Sequence, residues 1–488
     1  MNAALPAFAE RLLAHAVAVP QVPALVTRDR CVAYGALAGE VHALASALHA
    51  RGVGRGSIVA LTARAEVDHL IASLALLALG AAQVALASRD PAPMRRRLAE
   101  RVGATAVLAD RPEDAVAGLD RLDLGEVLAA SRSASRADPP PAIDPEAPAI
   151  YLTGSGTTGE PKIIAYSQRD LALQARAHLD FTGQRVLRPA HVEFNNSKRM
   201  RLYTLWQGGT CVLADGSAES LHAQVSRHRA TWLEVSPMHG ADLVAASRTE
   251  GPLPSHASVR IGGARAPVAL RRAIMADVTP RLYVSYGTTE TSFVSVADPS
   301  MHDERETVGP PAAAVTVEVL RPDGTRAAPG EIGEIRLRAP GMATGYVGDA
   351  AATARHFRAG WFVPGDLASL DDRGLLFLHG RKDDMMIMNG INIFPAEIER
   401  TLEAHPAVAA AAAFPIPSAV HGQIPAAAVE LREGGACTPA ELVGYARTAL
   451  GVRAPRRVEI VASLPRNPQG KIVKRELAAR LLGREAGS

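Results

Sequence analysis

Between residues 34 and 109 the chain alternates helical and extended apolar patterns, and that alternation narrows the fold to a layered α/β architecture. Over 34–51, Leu37, Val41, Leu44, Ala45 and Leu48 recur at helical spacing. The run at 57–62 is short and apolar, so it reads as a buried strand. A second apolar helix over 70–79 is closed by Gly80, a strand follows at 82–87, a basic helix at 93–102 and another strand at 105–109. Mostly parallel sheets with helices on both faces are expected. The Ser-, Asp- and Pro-rich stretch 131–148, with Pro139, Pro140 and Pro141 in a row, interrupts this pattern as a loop or linker.

Further on the pattern changes. Residues 315–338 alternate around the turn signals Asp323-Gly324 and Pro329-Gly330, which suggests antiparallel strands in a small distorted barrel. Beyond Gly380 come a helix over 396–404, strands near Ala410 and Ala426, and a helix over 439–450, about the content of a small α+β domain. A chain of 488 residues exceeds one core, and the expected division is 1–381 and 382–488.

Composition excludes several classes. Lys and Arg number 53 against 50 Asp and Glu, a net charge of +3, with no long basic run to track a phosphate backbone. Arg95, Arg96 and Arg97 therefore read as a solvated helix face. Much of the 48% hydrophobic content is alanine, as in the run 409–413, which favours abundant helix. Cys31, Cys211 and Cys437 make neither a metal-ligand spacing nor a disulfide framework, consistent with a reducing cytoplasm. Residues 1–19 lack the basic start and apolar run of a signal peptide, and no apolar stretch is long enough to cross a bilayer.

The densest chemical signal is Thr153-Gly154-Ser155-Gly156-Thr157-Thr158-Gly159-Glu160-Pro161-Lys162, directly after an apolar strand at 149–152. Its glycines allow close backbone approach, and its hydroxyl and N–H groups suit phosphate oxygens. A Walker A loop is excluded, because Glu160 follows Gly159 where Lys-Ser/Thr would be required.

This run resembles the signature of the acyl-adenylate-forming superfamily, which includes acyl- and aryl-CoA synthetases, peptide-synthetase adenylation domains and beetle luciferases. Companion motifs follow in family order. Tyr286-Gly287-Thr288-Thr289-Glu290 resembles the second core motif; the resemblance implies Tyr286 on adenine, the threonines at the α-phosphate, and Glu290 holding Mg²⁺. Gly262-Gly263-Ala264-Arg265 resembles the glycine-rich wall between the adenine and acyl pockets, with Arg265 where relatives carry a small or apolar residue and surface exposure a possible fate. Pro364-Gly365-Asp366 resembles Thr-Gly-Asp, with Asp366 implied on the ribose hydroxyls and Arg381 on ribose or phosphate. Asp383 aligns with a hinge. Gly390 resembles a glycine lining a pantetheine tunnel, and Lys471, in Gly470-Lys471-Ile472, resembles the catalytic lysine of adenylation.

The resemblance implies ATP, Mg²⁺ and CoA, or the phosphopantetheine of an external carrier protein, acting on a carboxylic acid in a monomer or homodimer. A luciferase-like oxygenase and a non-catalytic ATP-binding relative are the competing readings. For the acid pocket, Phe194-Asn195 stands where amino-acid-activating relatives carry Phe-Asp, and a neutral amide cannot balance an α-ammonium. An acid without an α-amine is expected, in a pocket that includes Ser236 and Gly262, with His239 nearby. Lys198, Arg199 and Arg201 read as a solvated helix face; holding a second carboxylate or steering a carrier protein are the alternatives.

Overall fold

The computed structural model describes residues 7–133, 143–154, 161–214, 219–303, 305–388, 391–418, 422–467, 472–474 and 477. The alternating first third forms a six-stranded sheet. Asp120–Asp123, Ala106–Ala109, Ile58–Thr62, Ala82–Ala85 and Pro148–Gly154 run parallel in that order, and Lys162–Ser167 closes one edge antiparallel. An eight-stranded sheet carries Leu282–Thr288, Ser258–Ile261, Trp232–Val235, Arg185–Arg188, Thr210–Leu213 and Pro23–Val26 in parallel, with Ser292–Ala297 and Cys31–Ala33 as antiparallel edges.

One apolar core spans both sheets, with helices Tyr34–His49, Glu66–Ala78 and Asn195–Gln207 contributing to it. Glu66–Ala78 is buried from Val67 to Leu77 apart from Asp68, as a helix packed on several sides must be. It starts four residues before the expected 70–79 because Glu66 and Asp68 occupy its first turn, where carboxylates favour the helix N-terminus.

The expected barrel region is a six-stranded antiparallel sheet of Thr316–Leu320, Gly333–Arg338, Phe357–Arg358, Trp361–Phe362, Asp366–Leu370 and Leu376–Arg381. A separate small C-terminal domain pairs Met386–Met388, Ile391–Ile393, Val408–Ser418, Gly422–Leu431 and Arg457–Ile460, covered by helices Pro395–Glu403 and Pro439–Leu450.

The strand expected near Ala410 is Val408–Ser418, and it holds the alanine run 409–413: Ala411 and Ala413 join one core and Ala412 and Phe414 another, so two-faced burial overrides the helix propensity of alanine. Two expectations change. The segment 131–148 starts as helix, since Leu124–Ser133 runs into it, and ends as strand at Pro148; its middle, 134–142, lies outside the described residues. Arg95 is buried rather than solvated, paired with Asp114 at 3.2 Å, while Arg96 stays exposed beside Glu100.

Candidate active site

Thr153 and Gly154 end the strand Pro148–Gly154, and Lys162 opens its antiparallel neighbour opposite Gly154. Ser155, Gly156, Thr157, Thr158 and Gly159 lie outside the described residues, so the loop is fixed here by its two stems. Lys162 Nζ lies 2.9 Å from His356 Nε2 and 4.8 Å above the Tyr346 ring. Because His356 Nδ1 contacts the Val363 carbonyl at 2.8 Å, that nitrogen carries the proton and Nε2 accepts from the ammonium. Burial lowers the Lys162 pKa, against the Glu290 carboxylate that raises it.

The second motif is held beneath this stem. The Tyr166 hydroxyl donates to the carbonyls of Thr289 at 2.7 Å and Glu290 at 2.9 Å, and Arg199 donates to the Thr289 carbonyl at 2.8 Å. Gly287 is required by space: a Cβ there would meet the Ser292 carbonyl oxygen at 2.3 Å. The Thr288 hydroxyl is tied to Thr291 at 3.0 Å. Glu290 Oε1 accepts from the Tyr346 hydroxyl at 2.7 Å. Among the described residues no cluster of three metal-ligating side chains exists. One carboxylate beside a phosphate loop suits Mg²⁺, which takes most of its ligands from water and substrate phosphates.

Across the cavity the Tyr286 hydroxyl donates to Asp366 Oδ2, and Arg381 Nη1 donates to Oδ1 at 3.1 Å. Gly365 has φ +82°, and a Cβ there would lie 3.5 Å from Arg381, so the turn brings the carboxylate to the guanidinium. Gly263 (φ +81°) and Ala264 line the same cavity. Arg265 is not left at the surface. Its guanidinium grips Glu306 at 2.7 and 2.8 Å and reaches Glu403 of the C-terminal domain at 2.7 Å, which leaves it tied to protein rather than nucleotide. Asp383 is exposed in the turn Lys382–Asp384 that connects the two parts.

The part of the cavity expected to take the acid is built from strand ends and one helix. Phe194, Asn196, Ser236, His239 and Gly262 line the cavity; Asn195 begins the helix Asn195–Gln207, and its side chain lies outside the described set. Ser236 caps its helix and lies 3.0 Å from His239 Nδ1. A Cβ on Gly262 would lie 3.0 Å from Ser285 Oγ, a tight approach that would oblige the serine side chain to shift.

The basic run after Asn195 is a correction: Lys198, Arg199 and Arg201 are at most 2% exposed. The helix lies between the two sheets and has no solvated face at these positions. Lys198 Nζ donates to Gln83 at 3.1 Å, Arg201 pairs with Glu66 at 3.0 Å, and only Arg199 of the three lines the cavity.

The cavity has a volume of about 2390 Å³ and is closed partly by the C-terminal domain, through Arg466, Asn467, Ile472 and Lys474 among others. Arg466 and Ile472 form an antiparallel bridge. Lys471, like Gly390, lies outside the described residues. Sequence reasoning missed Tyr166, Tyr346 and His356. They stand outside the recognisable motifs, and the only signal was that a half-buried Lys162 and Glu290 would need partners.

The profile of the AMP-binding enzyme family matches residues 12–347, and that of the AMP-binding enzyme C-terminal domain matches 397–471. The chain belongs to the AMP-binding enzymes. It is an AMP-forming acid–thiol ligase, a class served by ATP, Mg²⁺ and CoA. It is 32% identical to the sulfoacetate–CoA ligase of Cupriavidus necator over 72% of this chain and 70% of that protein. It is 30% identical to a feruloyl-CoA synthase of an Amycolatopsis species over 94% of this chain and 96% of that one. The o-succinylbenzoate coenzyme A synthetase of Bacillus subtilis, solved with ATP and magnesium, superposes with a TM-score of 0.85 at 25% identity, over 96% of this chain and 98% of that one. No described helix is long and apolar enough to cross a membrane.

Proposed function

We propose that this protein adenylates a carboxylic acid lacking an α-amine and passes the acyl group to the thiol of CoA. The carrying observation is that Lys162, Glu290, Asp366 and Arg381 line one cavity together with Arg466 and Ile472, the residues that bracket Lys471. Asp366 and Arg381 are placed to hold ribose, and the stem at Thr153, Gly154 and Lys162 to hold the phosphates. Glu290 is the carboxylate for Mg²⁺, which would offset charge on the phosphates.

In the first half-reaction a carboxylate oxygen of the acid bonds to the α-phosphorus in line, and pyrophosphate leaves with the electrons of the broken bond. Lys471 stabilises the charge that develops, and the remaining residues act mainly by positioning. In the second, the thiol sulfur attacks the acyl carbon, its proton passes to solvent, and AMP leaves. Two units parting at 381/382, with Asp383 as hinge and Gly390 on the thiol path, would let one site serve both steps.

An acid without an α-amine is supported by the uncharged Asn195 and by Glu193, whose carboxylate accepts from the Ser88 hydroxyl at 2.9 Å and its N–H at 3.2 Å. CoA as acceptor is supported by relatives named as CoA ligases and synthetases.

ATP–pyrophosphate exchange over a panel of acids, followed by CoA and a phosphopantetheinylated carrier protein offered in parallel, tests the reading. Exchange with non-amino acids, lost about 100-fold or more in Lys471→Ala, and AMP release with CoA are expected. Better exchange with α-amino acids would overturn the substrate class, and loading of the carrier alone would overturn the acceptor.

A further inference from the structure

Three neighbouring strands of the eight-stranded sheet place an unusual row on one face. Glu234 is in register with Arg260, and the pairing of Leu233 with Leu187 sets it beside Arg188 as well. All three are between 5% and 8% exposed, and all three line the cavity. One carboxylate serves both arginines: Arg188 Nη1 and Arg260 Nη2, the latter at 2.9 Å, meet the same Glu234 oxygen. The row therefore carries one positive charge in excess, in a position where an unbalanced charge is costly.

The surroundings add positive charge. Arg199 lines the same cavity with its outer nitrogens on backbone carbonyls and on Asn196. His178, whose Nε2 lies 3.4 Å from Arg260, is held neutral by burial and by the fields of Arg260, Arg188 and Arg199. Arg188 Nε and Nη2 and Arg199 Nε are buried without a hydrogen-bond partner among the described residues. Burial and the neighbouring Arg260 push Arg188 well below the usual guanidinium range, and burial alone brings Arg260 to about 9. What sets this row apart is the combination of an unbalanced charge, unsatisfied donors and a place on the cavity wall.

The row lies two residues, about 7 Å, below the strand ends that carry Ser236 and Gly262. Its side chains share a face of these strands with Ser236 and Gly262, the residues expected in the acid pocket, and line the same cavity.

We propose that the acid activated here bears a second anionic group, a carboxylate or a sulfonate, held by Arg188 and Arg260 with Arg199 adding to the field. This rests on the adenylating function proposed above and narrows its substrate. Two guanidinium groups present paired N–H donors that match a planar carboxylate, and a sulfonate offers the same acceptor geometry. The incoming anion supplies the missing negative charge, and an uncharged acyl tail would leave it missing.

The experiment is ATP–pyrophosphate exchange by the full chain on matched pairs: malonate to adipate against propanoate to hexanoate, isophthalate against benzoate, and 3-sulfopropanoate against butanoate. At least one dianionic acid should exceed its monoanionic partner about 100-fold in kcat/KM, consistent with leaving a buried charge unpaired. Arg188→Met and Arg260→Met should each reduce that ratio at least tenfold through the acid's KM, with the KM for ATP unchanged. Should either methionine variant fail to fold, Arg260→Lys, which keeps the charge but loses the fork, should retain a preference for the dianion at reduced strength.

Monoanionic acids equal to or better than every dianionic partner would overturn this proposal and leave the adenylating function standing. No exchange with any acid would overturn the adenylating function and this inference with it.

Discussion

Two buried ionic clusters differ in one respect. At the seam between the large and small domains, Arg265 and Arg400 face Glu306 and Glu403, two charges of each sign. Glu306 Oε1 also accepts the Val268 N–H at 3.0 Å, and Glu403 Oε1 accepts the Ala411 N–H at 3.3 Å. On the cavity floor, Arg188 and Arg260 share Glu234 alone. The first cluster balances its charges within the protein and joins its parts; the second is balanced from outside. Buried charge is weak evidence of stabilisation in either case, but its stoichiometry indicates which role a cluster serves.

Breaking the balanced cluster should have the largest effect. Glu306→Ala leaves Arg265 and Arg400 without their shared partner, and removing one member of a buried pair costs about 3–5 kcal/mol. Burial alone would raise the Glu306 pKa, yet Arg265 and Arg400 hold it below its ordinary value, so the carboxylate is charged in the native state. Urea denaturation measures the loss; a change within about 0.5 kcal/mol, the range of ordinary surface substitutions, would show that the seam is not formed in solution.

At the floor the same kind of change has a smaller cost and a remedy. Glu234→Gln still accepts hydrogen bonds but leaves the row with two excess charges, a loss of about 2–3 kcal/mol. Glutarate should then raise the melting temperature of Glu234→Gln more than that of the parent, and should raise that of Glu306→Ala no more than that of the parent. Equal shifts in all three proteins would erase the distinction between the clusters.

A third buried charge sharpens the comparison because it is relieved by losing its proton. Burial brings the Lys198 pKa down to about 7, only partly countered by Glu193. Above that pH the native amine is neutral, while the unfolded amine keeps its proton up to its ordinary value of about 10.4. The unfolded chain then binds more protons, so stability rises with pH through this window. Between pH 7 and 9 the gain is on the order of 2 kcal/mol, and Lys198→Met should lack it. Parallel slopes for parent and variant, in denaturation at pH 7, 8 and 9, would count against a neutral Lys198.

What the sequence revealed follows the same divide between local and long-range information. The strands around 57–62 and 105–109 and the helix over 439–450 were legible because apolar periodicity is local. The nucleotide motifs were legible because glycines and hydroxyls cluster along the chain; Gly287, pressed against Ser292, shows a local reason for one of them. The buried arginines were not. Lys198, Arg199 and Arg201 sit on a helix that is buried from Ser197 to Trp206, and their partners Gln83, Thr289 and Glu66 lie far off in sequence. The row at Arg188, Glu234 and Arg260 becomes visible only when strand register is known, since each residue alone reads as an isolated charge in a short apolar strand.

The smallest effect concerns a pair that is one-to-one like the seam and, like both clusters, lines the cavity. Arg381 donates to Asp366 at 3.1 Å, and Tyr286 occupies the other carboxylate oxygen. Burial would lower the Arg381 pKa, but Asp366 raises it above its ordinary value, so the guanidinium is charged before ligand arrives. The Arg381 side chain remains 34% exposed, and solvent screening limits what the pair contributes to folding. Its effect should appear in nucleotide binding, because a ribose inserted at Asp366 meets a carboxylate already oriented by the guanidinium. Arg381→Ala should raise the KM for ATP about tenfold, equivalent to about 1.4 kcal/mol, with kcat in pyrophosphate exchange changed less than threefold. A fall in kcat at constant KM would instead assign Arg381 to charge developing on the phosphates, and its pairing with Asp366 would then be a resting arrangement broken during turnover.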